Sequence, residues 1–160
     1  MSVFALTYDR DMVPAPGTRM LEGFPDMECV IDLAIVRKGW EDGVGVVIGD
    51  LEAGGAPVAF APRNVLKDAV AAWEALGYTP KVGIEFEAFV MQPDGEGGWA
   101  PYDCPGSFVY GTGPINDPMG IAEAIHDVAD AVGFRLESVN TEFEAAQFEF
   151  TLEYDDALAA

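Results

Sequence analysis

The chain has 160 residues, half of them hydrophobic, which suffices for one domain with a buried core and is too apolar for a disordered polymer. Its 28 acidic against 8 basic residues give a formal charge of −20, which disfavours nucleic acid and anionic membrane as partners and leaves cation binding open. No apolar run approaches the ~20 residues of a membrane span, and Met1 to Arg10 lacks the charged and apolar regions of an export signal, so a reducing cytoplasm is expected. Cys29 and Cys104 are the only cysteines, with no zinc-binding spacing; Cys29, in the apolar run Cys29-Val30-Ile31-Asp32-Leu33, reads as a buried thiol.

Residues 1–27, with Pro14, Pro16-Gly17-Thr18 and Pro25, read as loop. Three strands are expected at Glu28–Ile35, Gly45–Ile48 and Pro57–Phe60, turning through Glu41-Asp42-Gly43 and Gly54-Gly55 as an antiparallel meander. Pro62-Arg63 opens a helix over Asn64–Leu76, with Gly77 just past its end. Val65, Ala69, Ala72, Trp73 and Leu76 share one face of it, where Trp73 reads as a core anchor rather than a ligand platform.

Lys81–Met91 follows as a strand of aromatic and β-branched residues, bounded by Pro80 and by Pro93-Asp94-Gly95. Alternation puts Glu85 and Glu87 on one face and Ile84, Phe86 and Ala88 on the other. Two adjacent carboxylates repel, so the pair is either a solvated strand face or one side of a cation site. Oxygen ligands suit Mg2+ or Mn2+ better than Zn2+.

Residues 93–117 are rich in glycine and proline, and Phe108–Gly113 reads as a short extended segment. Asp117-Pro118 supplies an N-cap and a proline at the first helical position for a helix running to Val132, ended by Gly133. Ile121, Ile125, Val128 and Val132 form its apolar stripe; His126 lies off that stripe and reads as structural or solvated rather than as a metal ligand. A strand then heads from Gly133 to Glu142. Its simplest neighbour is the tail, where Gln147, Glu149, Thr151 and Glu153 alternate with Phe148, Phe150, Leu152 and Tyr154. Two helix–strand units thus bring carboxylates to one sheet.

These motifs resemble the glutamine synthetases. Gly83-Ile84-Glu85-Phe86-Glu87 is similar to that family's Gly-x-Glu-x-Glu strand, and Glu142 through Glu149 to its Glu-x(4)-Gln-x-Glu segment, in the same order. The likeness runs from about Asp11 to the C-terminus, and the tail Thr151–Leu158 is most similar to the branch containing γ-glutamyl-polyamine synthetases. The implied fold is α+β: a remnant of the N-terminal β-grasp-like domain over residues 1–61, then the first helix–strand units of the catalytic sheet over residues 62–160. Asp11-Met12-Val13-Pro14 and Pro16-Gly17-Thr18 resemble the segment linking the β-grasp strands.

The resemblance implies an ATP-dependent ligase that joins glutamate to ammonia or an amine through γ-glutamyl phosphate, using Mg2+ or Mn2+. It assigns Glu85 to one metal and Glu87, Glu142 and Glu149 to the other, Glu137 and Tyr154 to the nucleotide, and Tyr110 to the amine or ammonium site. On pattern alone, Tyr110 also reads as a tyrosine capping the core, and Tyr154 as packing on the back of the sheet. The chain departs from the family at Ala145-Ala146, where Pro-Gly is usual, and at Ala88, where an aromatic is usual. If the family glycine needs a positive φ, the turn at Ala146 is expected to be displaced.

The family continues with a metal-binding histidine, nucleotide loops and substrate-binding arginines. The chain is therefore expected to be a fragment or split subunit, working as a homo-oligomer or with a complementing C-terminal chain. The alternative is a non-catalytic acidic protein that keeps the sheet for metal or partner binding.

Overall fold

Proline and glycine punctuate the first third of the chain, and the computed structural model, which describes residues 2–7, 9–14 and 16–160, shows short elements there. Of the stretch read as loop, Met1, Tyr8 and Ala15 lie outside the described residues. Strands β1 (Glu28–Ile31), β2 (Arg37–Lys38), β3 (Gly45–Val46), β4 (Gly49–Ala53) and β5 (Ala56–Pro57) precede helix α1 (Pro62–Ala75). Strands β6 (Lys81–Val82), β7 (Glu85–Phe89), β8 (Met91–Pro93) and β9 (Trp99–Pro101) lead to helix α2 (Ile121–Val132). Strands β10 (Leu136–Thr141), β11 (Gln147–Leu152) and β12 (Asp155–Asp156) close the chain. Two compact units result: Met1–Val36 with Val47–Thr79, and Arg37–Val46 with Pro80–Ala160.

In the first unit β1, β4 and β5 form an antiparallel meander. Its middle strand is Gly49–Ala53 instead of the expected Gly45–Ile48. Asp32 is the reason: its carboxylate accepts the Ala34 N–H at 2.9 Å and turns the chain into a 3-10 turn at Leu33–Ile35, ending β1 early. β2 then pairs with β3 as a separate hairpin in the second unit. Opposite Ile31, Gly49 has no room for a Cβ, which would collide with Cys29 Sγ. The Cys29 thiol is exposed, not buried, because every residue of β1 is exposed.

Helix α1 docks on its own unit through polar groups. Asn64 is buried, and its amide donates to Leu51 O at 3.1 Å and Val58 O at 2.9 Å. Arg63 and Lys67, beside it on the helix, both pair with Asp50. The side carrying Arg63, Asn64 and Lys67 therefore faces the strands, and the apolar face does not. Trp73 is 52% exposed, in an edge-to-face contact with Tyr78, so it is no core anchor. Because α1 packs with β4, compactness groups residues through Thr79 with the first sheet.

In the second unit β11 lies between β10 and β7, antiparallel to both. The expected Lys81–Met91 strand is divided into β6, β7 and β8. Val90 leaves the ladder because its N–H goes to Ala146 O at 2.8 Å and its carbonyl accepts Tyr102 N–H at 2.9 Å. The buried cluster is Tyr102, Cys104, Ala146 and Phe148, with Val90 and Ile121 packed against it; Tyr102 stacks on Phe148 at 6.3 Å.

Helix α2 starts at Ile121, not at Asp117, with Gly120 (φ 70°) at the N-cap position. Asp117 still serves the helix from a distance, accepting the Ala122 N–H at 2.8 Å and the Tyr102 hydroxyl at 3.2 Å. Burial pushes that phenol's pKa up. The buried stripe uses Ala129 and Val132, while Val128 and His126 are exposed. Gly133 (φ 80°) ends the helix as expected. Phe108–Gly113 forms turns rather than an extended segment, since Thr141 Oγ1 donates to Phe108 O at 2.9 Å and Asn116 pins both sides. Among the described residues no helix is long and apolar enough to cross a membrane.

Candidate metal centre

Antiparallel partners project to the same face of a sheet, and the register pairs Glu149 with Glu87, Thr151 with Glu85 and Asn140 with Glu149. Glu85, Glu87 and Glu149 therefore share one face. The opposite face carries Phe86 and Phe150, stacked at 5.0 Å.

Glu142 arrives from the end of β10, where its N–H donates to Gln147 O at 2.9 Å. One carboxylate oxygen each from Glu87, Glu142 and Glu149 lies within 4.8 Å of the others. Glu87 is exposed, Glu149 half-buried, and Glu142 only 5% exposed.

The turn between Glu142 and Gln147 sets this convergence. Gln147 N–H donates to Glu144 O at 3.1 Å, and the Gln147 amide oxygen accepts Glu144 N–H at 3.0 Å. Ala146 stands at φ 67° with none of its surface exposed, its N–H on Cys104 Sγ at 3.1 Å. The position thus takes up a positive φ without a glycine. Alanine adopts the left-handed conformation there, at a cost of roughly 1–2 kcal/mol.

No basic side chain forms an ion pair with the three carboxylates among the described residues. Arg135 pairs with Glu153 at 3.1 Å and Asp155 at 2.6 Å, Lys81 with Asp156 at 2.6 Å, and Arg37 lies 5.5 Å over the Phe134 ring. At ~4 Å two like charges repel by about 1 kcal/mol even in bulk water, and more near a low-dielectric surface. Neutral donors supply what compensation there is: Gln147 Nε2 reaches Glu87 Oε1 at 2.6 Å, and Thr151 Oγ1 reaches Glu149 Oε1 at 3.3 Å.

The donor set fits a hard divalent cation. Octahedral Mg2+ at about 2.1 Å from its ligands would hold their oxygens roughly 3–4 Å apart, a small closure from what is seen. An all-carboxylate set is a poorer match for Zn2+.

Glu85 shares the face but lies outside this close group. Glu137 is exposed at the irregular step between Leu136 and Ser138 and does not join it. The Tyr154 ring is 69% exposed, so it does not pack on the back of the sheet. Tyr110 sits at φ 55° with its ring 68% exposed, which removes its reading as a core cap; its N–H donates to Thr141 O at 2.8 Å, one residue before Glu142. In the sequence Gln147 is a polar-face residue and the glutamine of the Glu-x(4)-Gln-x-Glu segment, with no role of its own; the structure adds its hydrogen bond to Glu87. The available signal was its place two residues before Glu149 on the same strand face.

The glutamine synthetase catalytic domain family matches residues 59–160. The glutamine synthetase of Rhizobium meliloti (strain 1021) is 33% identical over 135 residues, covering 84% of this chain and 31% of the relative. The γ-glutamylethanolamide synthetase GlnA4 of Streptomyces coelicolor is 29% identical, covering 97% of this chain and 36% of the relative. The solved structure of ligand-free GmaS superimposes with a TM-score of 0.69 at 26% identity, covering 84% of this chain and 32% of the other. The chain spans about a third of the length of the relatives it matches. The chain belongs to the glutamine synthetase family.

Proposed function

We propose that these residues are part of the metal-binding sheet of a ligase that joins the γ-carboxylate of glutamate to ammonia or an amine at the expense of ATP. One observation carries this reading: Glu87, Glu142 and Glu149 converge within 4.8 Å, no basic side chain among the described residues pairs with them, and Glu142 is buried. A buried carboxylate beside two others is stable only with a cation or a proton to compensate it.

In this reading Glu87, Glu142 and Glu149 hold one Mg2+ or Mn2+, and Glu85, on the same face, belongs to a neighbouring one. When bound, such ions neutralise phosphate charge and align the transferring phosphoryl group. Glu137 and Tyr154 serve the nucleotide, and Tyr110, whose backbone is tied to the residue before Glu142, serves the amine end. The exposed rings of Tyr110 and Tyr154 are free to meet a ligand. Residues 1–61, with the β1-β4-β5 meander, are read as the β-grasp remnant. The setting is cytoplasmic, and the active form is a homo-oligomer.

A second reading, an acidic binding protein without catalysis, is favoured by a separate fact. Arg19, Arg63, Lys67, Lys81 and Arg135 are all engaged in ion pairs away from the three glutamates. Thermal unfolding with and without millimolar Mn2+ tests the metal site that both readings use. The melting temperature of the 160-residue chain should rise with Mn2+, and that rise should vanish in Glu149→Gln. Indifference to Mn2+ in both proteins would leave a solvated acidic face and remove the ligase assignment of these residues.

A further inference from the structure

We infer that Gln147 is a positioning residue for Glu87, fixing the carboxylate in the geometry that the divalent cation requires. The inference rests on the metal reading proposed above. It comes from how the two ends of one amide are used. The Gln147 oxygen accepts the Glu144 N–H at 3.0 Å, which fixes the orientation of the amide and leaves that oxygen committed to the turn. The NH2 end must then face the opposite way, and it donates to Glu87 Oε1 at 2.6 Å. An amide nitrogen carries no lone pair for a metal, so Gln147 serves the site as a donor to a ligand.

Glu87 needs such a donor. It is the exposed member of the three, on a strand whose residues are all exposed, and packing does nothing to hold its rotamer. Glu142 is buried and Glu149 half-buried, so their positions are confined by their surroundings. The hydrogen bond from Gln147 couples Glu87 to the Glu142–Gln147 turn, whose start carries the second ligand. A neutral donor does this without adding a positive charge that would compete with the cation. Thr151, two residues along the same face, does the same for Glu149 at 3.3 Å, a longer and weaker contact.

The test is Mn2+ affinity, read from the electron paramagnetic resonance of free Mn2+ at a temperature well below unfolding, with circular dichroism confirming the fold of each variant. Gln147→Met keeps the size of the side chain and removes both hydrogen bonds. It should weaken Mn2+ binding by about 10- to 100-fold, the range for partners that orient metal ligands. The same substitution on a Glu87→Gln background should weaken binding no further, because the ligand it acts through is gone. A purely structural role in the turn predicts the same loss on both backgrounds and would overturn the inference. Wild-type affinity in Gln147→Met, with binding lost in Glu149→Gln, would overturn the positioning role while supporting the metal site. Equal Mn2+ binding by wild type and Glu149→Gln would overturn the metal site and the positioning role together.

Discussion

Asp50 faces Arg63 at 3.1 Å and Lys67 as well, whereas Glu87, Glu142 and Glu149 face one another. Both are carboxylate sites on or beside hydrogen-bonded strands, with Asp50 part-buried in one and Glu142 buried in the other. At Asp50 the chain supplies two cations from one side of α1, at positions four residues apart, so the charge is settled within the fold. At the glutamates it supplies an amide and a hydroxyl. A site whose charge is balanced internally contributes to stability and needs no ligand. One left unbalanced, with a buried member, is what the proposed metal site requires.

The largest effect that would break this contrast is catalysis by the chain alone. Phosphoryl transfer to a carboxylate needs cationic groups on the transferring phosphoryl as well as metal, and a pocket that excludes water. Arg63 and Lys67 are held by Asp50, Arg135 by Glu153 and Asp155, and Lys81 by Asp156. The purified 160-residue protein should therefore form no γ-glutamyl hydroxamate from ATP, glutamate and hydroxylamine with Mg2+ or Mn2+. Turnover that disappears in Glu149→Gln would show that such groups do reach the acidic face.

Much of that face was legible in the sequence. Glu85 and Glu87 two apart, and strict alternation from Gln147 to Tyr154, put carboxylates on single strand faces whatever the pairing. The pairing of the tail with the strand before it was legible and is seen as β10 against β11; the placing of β7 on the other side of β11, with Glu149 opposite Glu87, was not, because it is decided by contacts far apart in the chain. The same limit explains Trp73. Periodicity shows which residues of α1 share a face, but the helix docks through Asn64, Arg63 and Lys67, so the apolar face stays outside. The late start of α2 has a local cause: the Asp117 carboxylate reaches Ala122 across Gly120, and a sequence pattern places a cap next to the helix it serves.

The internally balanced site can be tested through its anchor. Asn64 is buried, and its amide holds two strand-side carbonyls while its neighbours Arg63 and Lys67 reach Asp50. Asn64→Ala removes both hydrogen bonds, leaving Leu51 O with the Val58 N–H and Val58 O with the Ala61 N–H, which at about 0.5–1.5 kcal/mol per bond should cost about 1–3 kcal/mol in denaturant unfolding. A change under about 0.5 kcal/mol, the usual scatter of surface substitutions, would mean that α1 is held by its few apolar contacts instead.

A smaller effect belongs to Asp50. The hydrogen bond from Lys67 is the main cause holding its carboxyl below the ordinary 3.8, with burial opposing it and the charges of Lys67 and Arg63 adding to it. A carboxylate with a depressed folded pKa contributes stability above its unfolded value, and that contribution is lost as pH falls through the folded one. Asp50→Asn should cost less than about 1 kcal/mol near neutral pH, because solvent screens a pair this accessible. The deficit should hold steady from pH 7 to about 5 and shrink below about 4 as Asp50 of the wild type takes up its proton. Stabilisation by Mn2+ should be the same in Asp50→Asn as in wild type. A deficit that grows on acidification would contradict the pairing.

The smallest expected effect concerns the turn that brings Glu142 and Gln147 together. Ala146 combines φ 67° with complete burial, so two opposed terms act on Ala146→Gly. Glycine relieves a left-handed strain of roughly 1–2 kcal/mol. Against that stand about 0.8 kcal/mol for the buried methyl and about 0.4–1 kcal/mol of extra freedom in the unfolded chain. The sum lies within about 1 kcal/mol of zero. Ala129→Gly provides the control: it is also buried but lies within α2, where no strain is relieved. It should cost about 2 kcal/mol from helix propensity and the lost methyl together. Urea unfolding of the two variants side by side reads the difference. Equal losses would show that position 146 bears no strain, and that the path from Glu142 to Gln147 differs from the one described. If Ala146→Gly is near neutral and its Mn2+ affinity matches wild type, the glutamates converge through the backbone path itself, with alanine holding that path at a small cost in strain.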